Sequence, residues 1–579
     1  MGGLKLATTN CSRHAGGQRT LHLGSWCLES GGRTQSALQV YAPDNVSVEE
    51  KLRLSTEASI VVQKIFPELT SGLNQYHGVS HSERYWRIIL ERWLHGFVDV
   101  VLQRTRLIED VLSKYDIEGS DHCDLTTSQL VADCTQDYLP QLLSQQWNCA
   151  LFGEILRMKK VNQDTHEQGK TWQPDIERKK QESPTRNLAS FVQGWLGHRS
   201  SIAISDSYLK GRHLAYLMWM TKSVQLRVNR ELIRSHDFDE SGRDHLLSTK
   251  AGKDGSLEAI VRTLLPNHVP RSVLESYERL SDHATWKNYP VNPRLVFTAN
   301  TIHSSDHYAI WTAEVVESGA ELVIAQHGGL YGESIIRSRH EEYEVSIADR
   351  YLTWGWDDGR HSKIRKIPSL TNIGRRKRST FGRTRTDVVV VTDATSRFSR
   401  YAWDTSSDRS RYINSIREIL PGLIERLHEP IIVRLHHGNN RYDVDNRCHY
   451  ADIPSVVFDD GSASIAKLVN RARLVVVTTL GTTFGECVCR GIPTIICVDP
   501  LIYPVRSEFE HLFERLHDVG IFHTTTASLM KQLDLIGSEI EDWWESHSVQ
   551  SALMEFGNNF FKASKRPVRE ILAALEFVK

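Results

Sequence analysis

The sequence predicts a doubly wound α/β protein in two halves, and three observations predict it. Apolar β-branched runs recur along the chain, among them Leu322-Val323-Ile324, Val388-Val389-Val390-Val391 and Val475-Val476-Val477. Continuous runs of this kind, rather than alternating ones, belong to parallel strands covered on both faces. Segments with apolar residues at helical spacing separate them. A chain of 579 residues also exceeds what one core supports, so two or three domains are expected.

In chain order, residues 20–24 read as a short strand, after which the first 150 residues turn helical. Ser82 to Arg104 carries Tyr85, Trp86, Ile89, Trp93, Phe97, Val100 and Val101 at helical spacing, a stripe that reads as core. Residues 159–187 are charged, with Pro174 and Pro184, and predict a flexible loop. Order resumes with a strand at 201–205. A polar stretch at 235–255 leads to a helix over 257–265, punctuated by Pro266 and Pro270. Strand 294–298, helix 306–317, a stop at Gly319, strand 321–325 and strand 351–356 complete a first half, 1–356. The basic, polar stretch 357–385 predicts a linker. Strands at 387–391, 431–435, 455–458, 474–477 and 494–498 alternate with helices at 413–427, 462–472 and 483–490, giving a second domain over 386–540. A helical tail, 541–579, carries Trp543, Trp544, Phe556, Phe560 and Phe561.

Composition removes several functional classes. Seventy basic against 71 acidic residues leave a net charge of −1, which gives no field for nucleic acid. No run approaches the ~20 apolar residues of a membrane span. The N-terminal residues lack a signal-peptide core, so a cytoplasmic protein with at most peripheral membrane association is expected. The nine cysteines are odd in number and scattered, without zinc or redox spacing. No metal and no cofactor are expected. Neither a G-x-G-x-x-G fingerprint nor a Walker loop is present, which argues against dinucleotide and P-loop enzymes.

Two strand ends carry the chemistry. The first is Gln326-His327-Gly328-Gly329-Leu330-Tyr331-Gly332, directly after strand 321–325. It gathers an amide, an imidazole and backbone N–H groups where open α/β sheets bind ligands, and imidazole moves protons near neutral pH. The second is Thr478-Thr479-Leu480-Gly481-Thr482-Thr483, followed by Glu486. Thr479, Gly481, Thr482 and Thr483 offer hydroxyls and N–H groups to an anion at a helix N-terminus, and Glu486 offers a carboxylate to sugar hydroxyls. The same residues also read as an N-cap with Glu486 as its capping-box partner. Arg434 and His436 share a strand face and suit a phosphate; His437 points elsewhere and reads as structural.

These pieces carry a resemblance. Together with Leu6-Ala7-Thr8-Thr9, Leu23-Gly24-Ser25-Trp26-Cys27, Tyr85-Trp86-Arg87-Ile88-Ile89-Leu90, Trp354-Gly355-Trp356, Val519-Gly520-Ile521-Phe522-His523 and Trp543-Trp544, the chain resembles a family of transferases found with O-antigen and other surface-polysaccharide genes. More widely it is similar to CDP-glycerol glycerophosphotransferases and to Kdo and capsule transferases. The resemblance implies a GT-B-like fold: two Rossmann-like domains facing a cleft, a helical N-terminal elaboration, and a C-terminal tail crossing back to the first domain. It implies an acceptor side in 1–356 and a nucleotide-donor side in 386–540. By this resemblance His327 is the base, or a carboxylate is, as in other GT-B sugar transferases, which Glu333 or Asp306 would supply; Gln326, Gly328, Gly329, Arg434, His436, Thr479, Gly481, Thr482, Thr483 and Glu486 serve the donor. Those relatives carry His-Pro where this chain has His436-His437.

The implied activity is a metal-independent glycosyltransferase. It would move a sugar from a nucleotide-sugar donor to a glycan, lipid-linked or small-molecule hydroxyl acceptor, and the family context favours a CMP-activated acidic sugar. The alternatives are a CDP-alcohol polyol-phosphate transferase and a non-catalytic nucleotide-binding scaffold on the same fold.

Overall fold

The structure is a computed structural model that describes residues 4–10, 19–28, 39–123, 125–166, 200–226, 228, 238–247, 255–286, 289–336, 339–375, 385–393, 395–436, 445–461 and 464–577. Most of the 159–187 loop, parts of 235–255, and His437 lie outside the described residues.

The protein is α/β, and its described strands form three parallel sheets. The C-terminal sheet runs Val456–Asp459, Ile431–Arg434, Asp387–Val391, Ala472–Val477, Thr494–Cys497, Phe522–His523. Numbered within the sheet this is the order 3-2-1-4-5-6, with its switch point between Asp387–Val391 and Ala472–Val477. The middle sheet runs Ile364–Lys366, Arg350–Thr353, Glu321–Ala325, Leu295–Thr298, Ile202–Ser205, Gln225–Leu226. Its switch point falls between Ile202–Ser205 and Leu295–Thr298. Val388, Val390, Leu474 and Val476 face one helical layer, and Val389, Val391, Val475 and Val477 face the other. Coverage on both faces is why these strands are apolar throughout.

Three segments depart from expectation. The N-terminal elaboration is more than helical. It holds a five-stranded sheet, Gln39–Val40, Thr20–His22, Leu4–Ala7, Ile117–Cys123, Gln163–His166, beside the 30-residue helix Val48–His77. The strand expected over 20–24 is present as Thr20–His22; the others are short or polar, so no apolar run announced them. Gln163–His166 falls in the stretch expected as a loop, and Ile364–Lys366 in the stretch expected as a linker. Both are edge strands, where one side meets no partner strand and polar side chains are tolerated. Ile367 and Leu370, also in the expected linker, are buried in the middle core.

The helix predicted over 82–104 begins at the N-cap Ser82, whose hydroxyl accepts from the Tyr85 N–H at 3.2 Å. It contains a π-helical segment, Arg87–Glu91, before continuing as Arg92–Lys114. The chain's last helix, Pro567–Ala574, packs Val568, Ile571 and Leu572 against the middle sheet. No described helix is long and apolar enough to cross a membrane.

Candidate functional site

Where the two six-stranded sheets face each other lies a cleft of about 760 Å³. His327 and Tyr208 line it from the middle sheet. Arg434, His436, Thr479, Gly481, Thr482, Thr483 and Glu486 line it from the C-terminal sheet.

His327 is held by a buried carboxylate. Its Nδ1 lies 3.2 Å from Glu344 Oε1, and Glu344 is wholly buried on the helix Arg339–Ile347. Glu344 also accepts from Tyr351 at 2.9 Å, Tyr331 at 3.3 Å and His303 Nε2 at 2.7 Å. A carboxylate 3.2 Å from Nδ1 favours the tautomer with its proton there and the lone pair on Nε2. The Tyr331 hydroxyl stands 3.2 and 3.3 Å from the two ring nitrogens. Asp206, on the turn after Ile202–Ser205, completes the surroundings; burial pushes its carboxyl up, and nearby His327 opposes the shift. Asp206, Tyr208 and Leu330 adopt φ of +51°, +57° and +74°, a left-handed backbone that non-glycine residues adopt at a cost and that collects at functional sites.

The two motif loops touch. The Gly329 N–H donates to Thr482 Oγ1 at 3.0 Å, and a Cβ on Gly329 would stand 2.3 Å from the Gly481 carbonyl carbon. Glycine is therefore required at 329 by the approach of the opposite backbone.

Several expected donor contacts are corrected. Gln326 is 1% exposed and braces its own loop: Oε1 accepts from the Trp354 N–H and Trp356 Nε1, both at 2.9 Å, and Nε2 donates to the Gly328 carbonyl at 2.7 Å. Neither Gln326 nor Gly328 lines the cleft. The Gly329 N–H is taken by Thr482. Glu333 is buried behind the loop, in a small void beside Trp354 and Phe560, and burial raises its carboxyl to about 8. Asp306 is buried beneath Thr135 and Ser272, which donate to it, and burial raises it too. No capping box forms at Thr482–Cys489: the N-cap is Gly481, without a side-chain hydrogen bond. Glu486 instead makes a bidentate pair with Arg375 at 2.5 and 2.7 Å. Arg434 lines the cleft, but its guanidinium is paired with Asp459.

Sequence reasoning missed one wall. The loop after Asp387–Val391 brings Asp393, Arg397 and Arg400 to the cleft, and the start of helix Ser406–Leu427 adds Arg409. The signal was available, since Thr392 to Arg400 follows an apolar strand at the switch point. The Tyr503 hydroxyl donates to Asp393 at 2.7 Å. Lys51, from the N-terminal helix, reaches across to Asp408 at 2.7 Å. Burial, reinforced by Asp408, raises the Asp404 carboxyl to about 6.

Among the described residues one group brings metal-ligand atoms together: His303, His327 and Glu344, all within 4.8 Å. Within it Glu344 lies 2.7 Å from His303 Nε2 and 3.2 Å from His327 Nδ1.

With this geometry in place, the comparisons are specific on one point. The model of the LIC12162 family transferases matches residues 4–575. The chain belongs to this family. It is therefore a transferase, and the match spans the elaboration, both facing domains and the tail. No curated protein matches the chain. Solved structures align weakly with this LIC12162 family member. HepE of Anabaena, solved with UDP and glucose, has 14% identity and a TM-score of 0.34 over 65% of this chain and 99% of its own. The UDP-N-acetylglucosamine 2-epimerase from Rickettsia bellii has 11% identity and a TM-score of 0.34, covering 65% and 95%. A Thermobaculum terrenum O-GlcNAc transferase mutant has 10% identity and a TM-score of 0.33, covering 90% and 97%. The two-domain α/β architecture of the family member rests on its own sheet order.

Proposed function

We propose that this transferase is a glycosyltransferase that moves a sugar from a nucleotide-sugar donor to a hydroxyl acceptor. The observation that carries the reading is a carboxylate-held imidazole, His327 with Glu344, lining one cleft with Arg397, Arg400 and the N-terminus of helix Thr482–Cys489.

The donor lies on the C-terminal domain. Its phosphates meet Arg397, Arg400, His436 and the N–H groups at Thr482 and Thr483. Ribose hydroxyls donate to Glu486, whose carboxylate Arg375 holds in one orientation. The acceptor comes from the N-terminal side. Its oxygen bonds to the anomeric carbon as its proton passes to His327 Nε2. The bond from that carbon to the phosphate oxygen breaks, and its electron pair leaves on the phosphate. The arginines and the helix N-terminus stabilise that charge, so the reading invokes no metal. Glu344 stabilises the imidazolium that forms. The resemblance to surface-polysaccharide transferases favours a CMP-activated acidic sugar and a glycan or lipid-linked acceptor.

The test is a thermal-shift panel of CMP, CDP, UDP, GDP and ADP on purified protein. One nucleotide is expected to raise Tm, and Arg397→Gln and Thr483→Ala to weaken the shift. His327→Ala is expected to keep the shift and lose transfer from the matching nucleotide sugar. Full transfer by folded His327→Ala, or no shift with any nucleotide, sinks the reading.

A further inference from the structure

Beside the cleft lies a second chamber of about 130 Å³, lined mostly by the N-terminal half and assigned no role so far. Arg92, Trp93, Tyr138, His303 and His340 line it, and Arg400 and Tyr401 line both it and the main cleft. The chamber therefore adjoins the cleft at the wall where the donor phosphates are placed. His303 and His340 both approach His327, one tilted and one edge-on, with ring centroids 5.4 and 5.5 Å away.

Part of its polar lining is unsatisfied. Trp93 Nε1, the Tyr138 hydroxyl, His303 Nδ1 and His340 Nδ1 are all buried without a hydrogen-bond partner, although Trp93 and Tyr138 are only 3% and 6% exposed. Buried polar groups are almost always paired in native proteins, and exceptions call for an occupant or a role. Four such atoms around one small space share one explanation. Arg92 adds a charge. It donates to the His303 carbonyl at 3.2 Å and forms no ion pair with any described carboxylate. Its neighbour Arg339 is neutralised by Asp99 and Glu342. Local structure aims Arg92: it follows directly on the π-helical segment Arg87–Glu91, and such segments re-register the side chains beyond them and recur at functional sites.

The inventory has a chemical sense. Arg92, Trp93 Nε1 and Tyr138 are donors around one cation, the set that recognises an oxyanion. His303 gives its Nε2 proton to Glu344 at 2.7 Å, so its Nδ1 is an acceptor for a neighbouring hydroxyl. Burial holds both His303 and His340 well below the usual imidazole range, in keeping with neutral rings.

We propose that this chamber seats the carboxylate or phosphate of the acceptor, so that the transferase acts on an acidic hydroxyl compound whose anionic end anchors beside His327. The acceptor role rests on the glycosyltransferase reading; the oxyanion site rests on the chamber alone.

Saturation-transfer NMR on the full-length protein with glucuronate, glucose 6-phosphate and glucose tests this. At least one acidic sugar is expected to bind tenfold or more tightly than glucose, and which one binds separates carboxylate from phosphate. Arg92→Gln is expected to abolish the preference. Tyr138→Phe, which removes one oxygen, is expected to weaken it several-fold and decides the matter if Arg92→Gln does not fold. Both variants should keep the nucleotide thermal shift. Equal binding of glucose, no binding of any sugar, or wild-type preference in Tyr138→Phe overturns the chamber assignment while a nucleotide shift persists. Absence of that shift in the wild type instead overturns the donor reading.

Discussion

His327 stands out in the sequence because it comes two positions after a strand whose last four residues are apolar, and position at a strand end is local information. Glu344 was not. Its neighbours Glu341 and Glu342 are also acidic, and nothing in a run of glutamates marks which one folds inward beneath an imidazole 17 positions earlier. The pair makes a prediction. Glu344→Gln keeps the shape and removes the charge that orients His327, so kcat is expected to fall about 10²–10⁴-fold, with the nucleotide shift unchanged. Steady-state kinetics beside a thermal-shift titration checks both halves. Glu333 behaves differently, because its carboxyl sits at about 8 when folded against an ordinary 4.5. Between those values the folded protein binds more protons than the unfolded chain, so stability is present in full below about 4.5 and declines as pH rises to about 8. Glu333→Gln removes the decline. Its gain in Tm over wild type is expected to be near zero at pH 4.5, to grow to several degrees at pH 8, and to stay flat above. A gain independent of pH would contradict the assignment.

At the scale of elements, helix 306–317 and strands 295–298, 321–325 and 387–391 emerge within a residue of their predicted bounds, because burial on both faces writes an uninterrupted apolar run. The elements missed have no such run. Ile117–Cys123 reads Ile-Glu-Gly-Ser-Asp-His-Cys, and its strand character comes from pairing with Leu4–Ala7 more than a hundred residues away. The contact between the two motif loops was equally invisible, since each glycine was read within its own loop as a source of N–H groups. It makes the next prediction. Gly329→Ala puts a methyl 2.3 Å from the Gly481 carbonyl carbon, and backbone there cannot step aside as a side chain tip would. Transfer activity is expected to fall at least tenfold with a loss of roughly 1–3 kcal/mol in stability, measured by activity and urea midpoint together. Gly491→Ala, with open space around it, is the contrast: its φ of +66° brings local strain but no collision with the opposite domain, so activity should survive.

For the whole molecule, the second domain was predicted more closely than the first, because its alternation of strand and helix is unbroken while the N-terminal half interleaves a sheet, long helices and polar insertions. The tail ties the halves together. Leu572 is wholly buried in the core that holds Phe297 and Leu352 of the middle sheet and Leu217 of the helix Gly211–Thr221. Leu572→Ala is expected to cost about 2–5 kcal/mol, lowering the urea midpoint of the middle domain although the residue follows the C-terminal one in sequence. A midpoint within error of wild type would show that the tail is dispensable. The same tail has a mechanical consequence. The backbone passes from the middle core to the C-terminal sheet between Leu370 and Asp387, and returns at Lys562, whose N–H donates to the Trp354 carbonyl. A plate tied to another by two crossings of its own chain resists sliding and twisting more than one tied by a single crossing. Lys51 against Asp408 and the Gly329 N–H on Thr482 add ties from the N-terminal side, so parting the cleft breaks those contacts while both chain crossings hold.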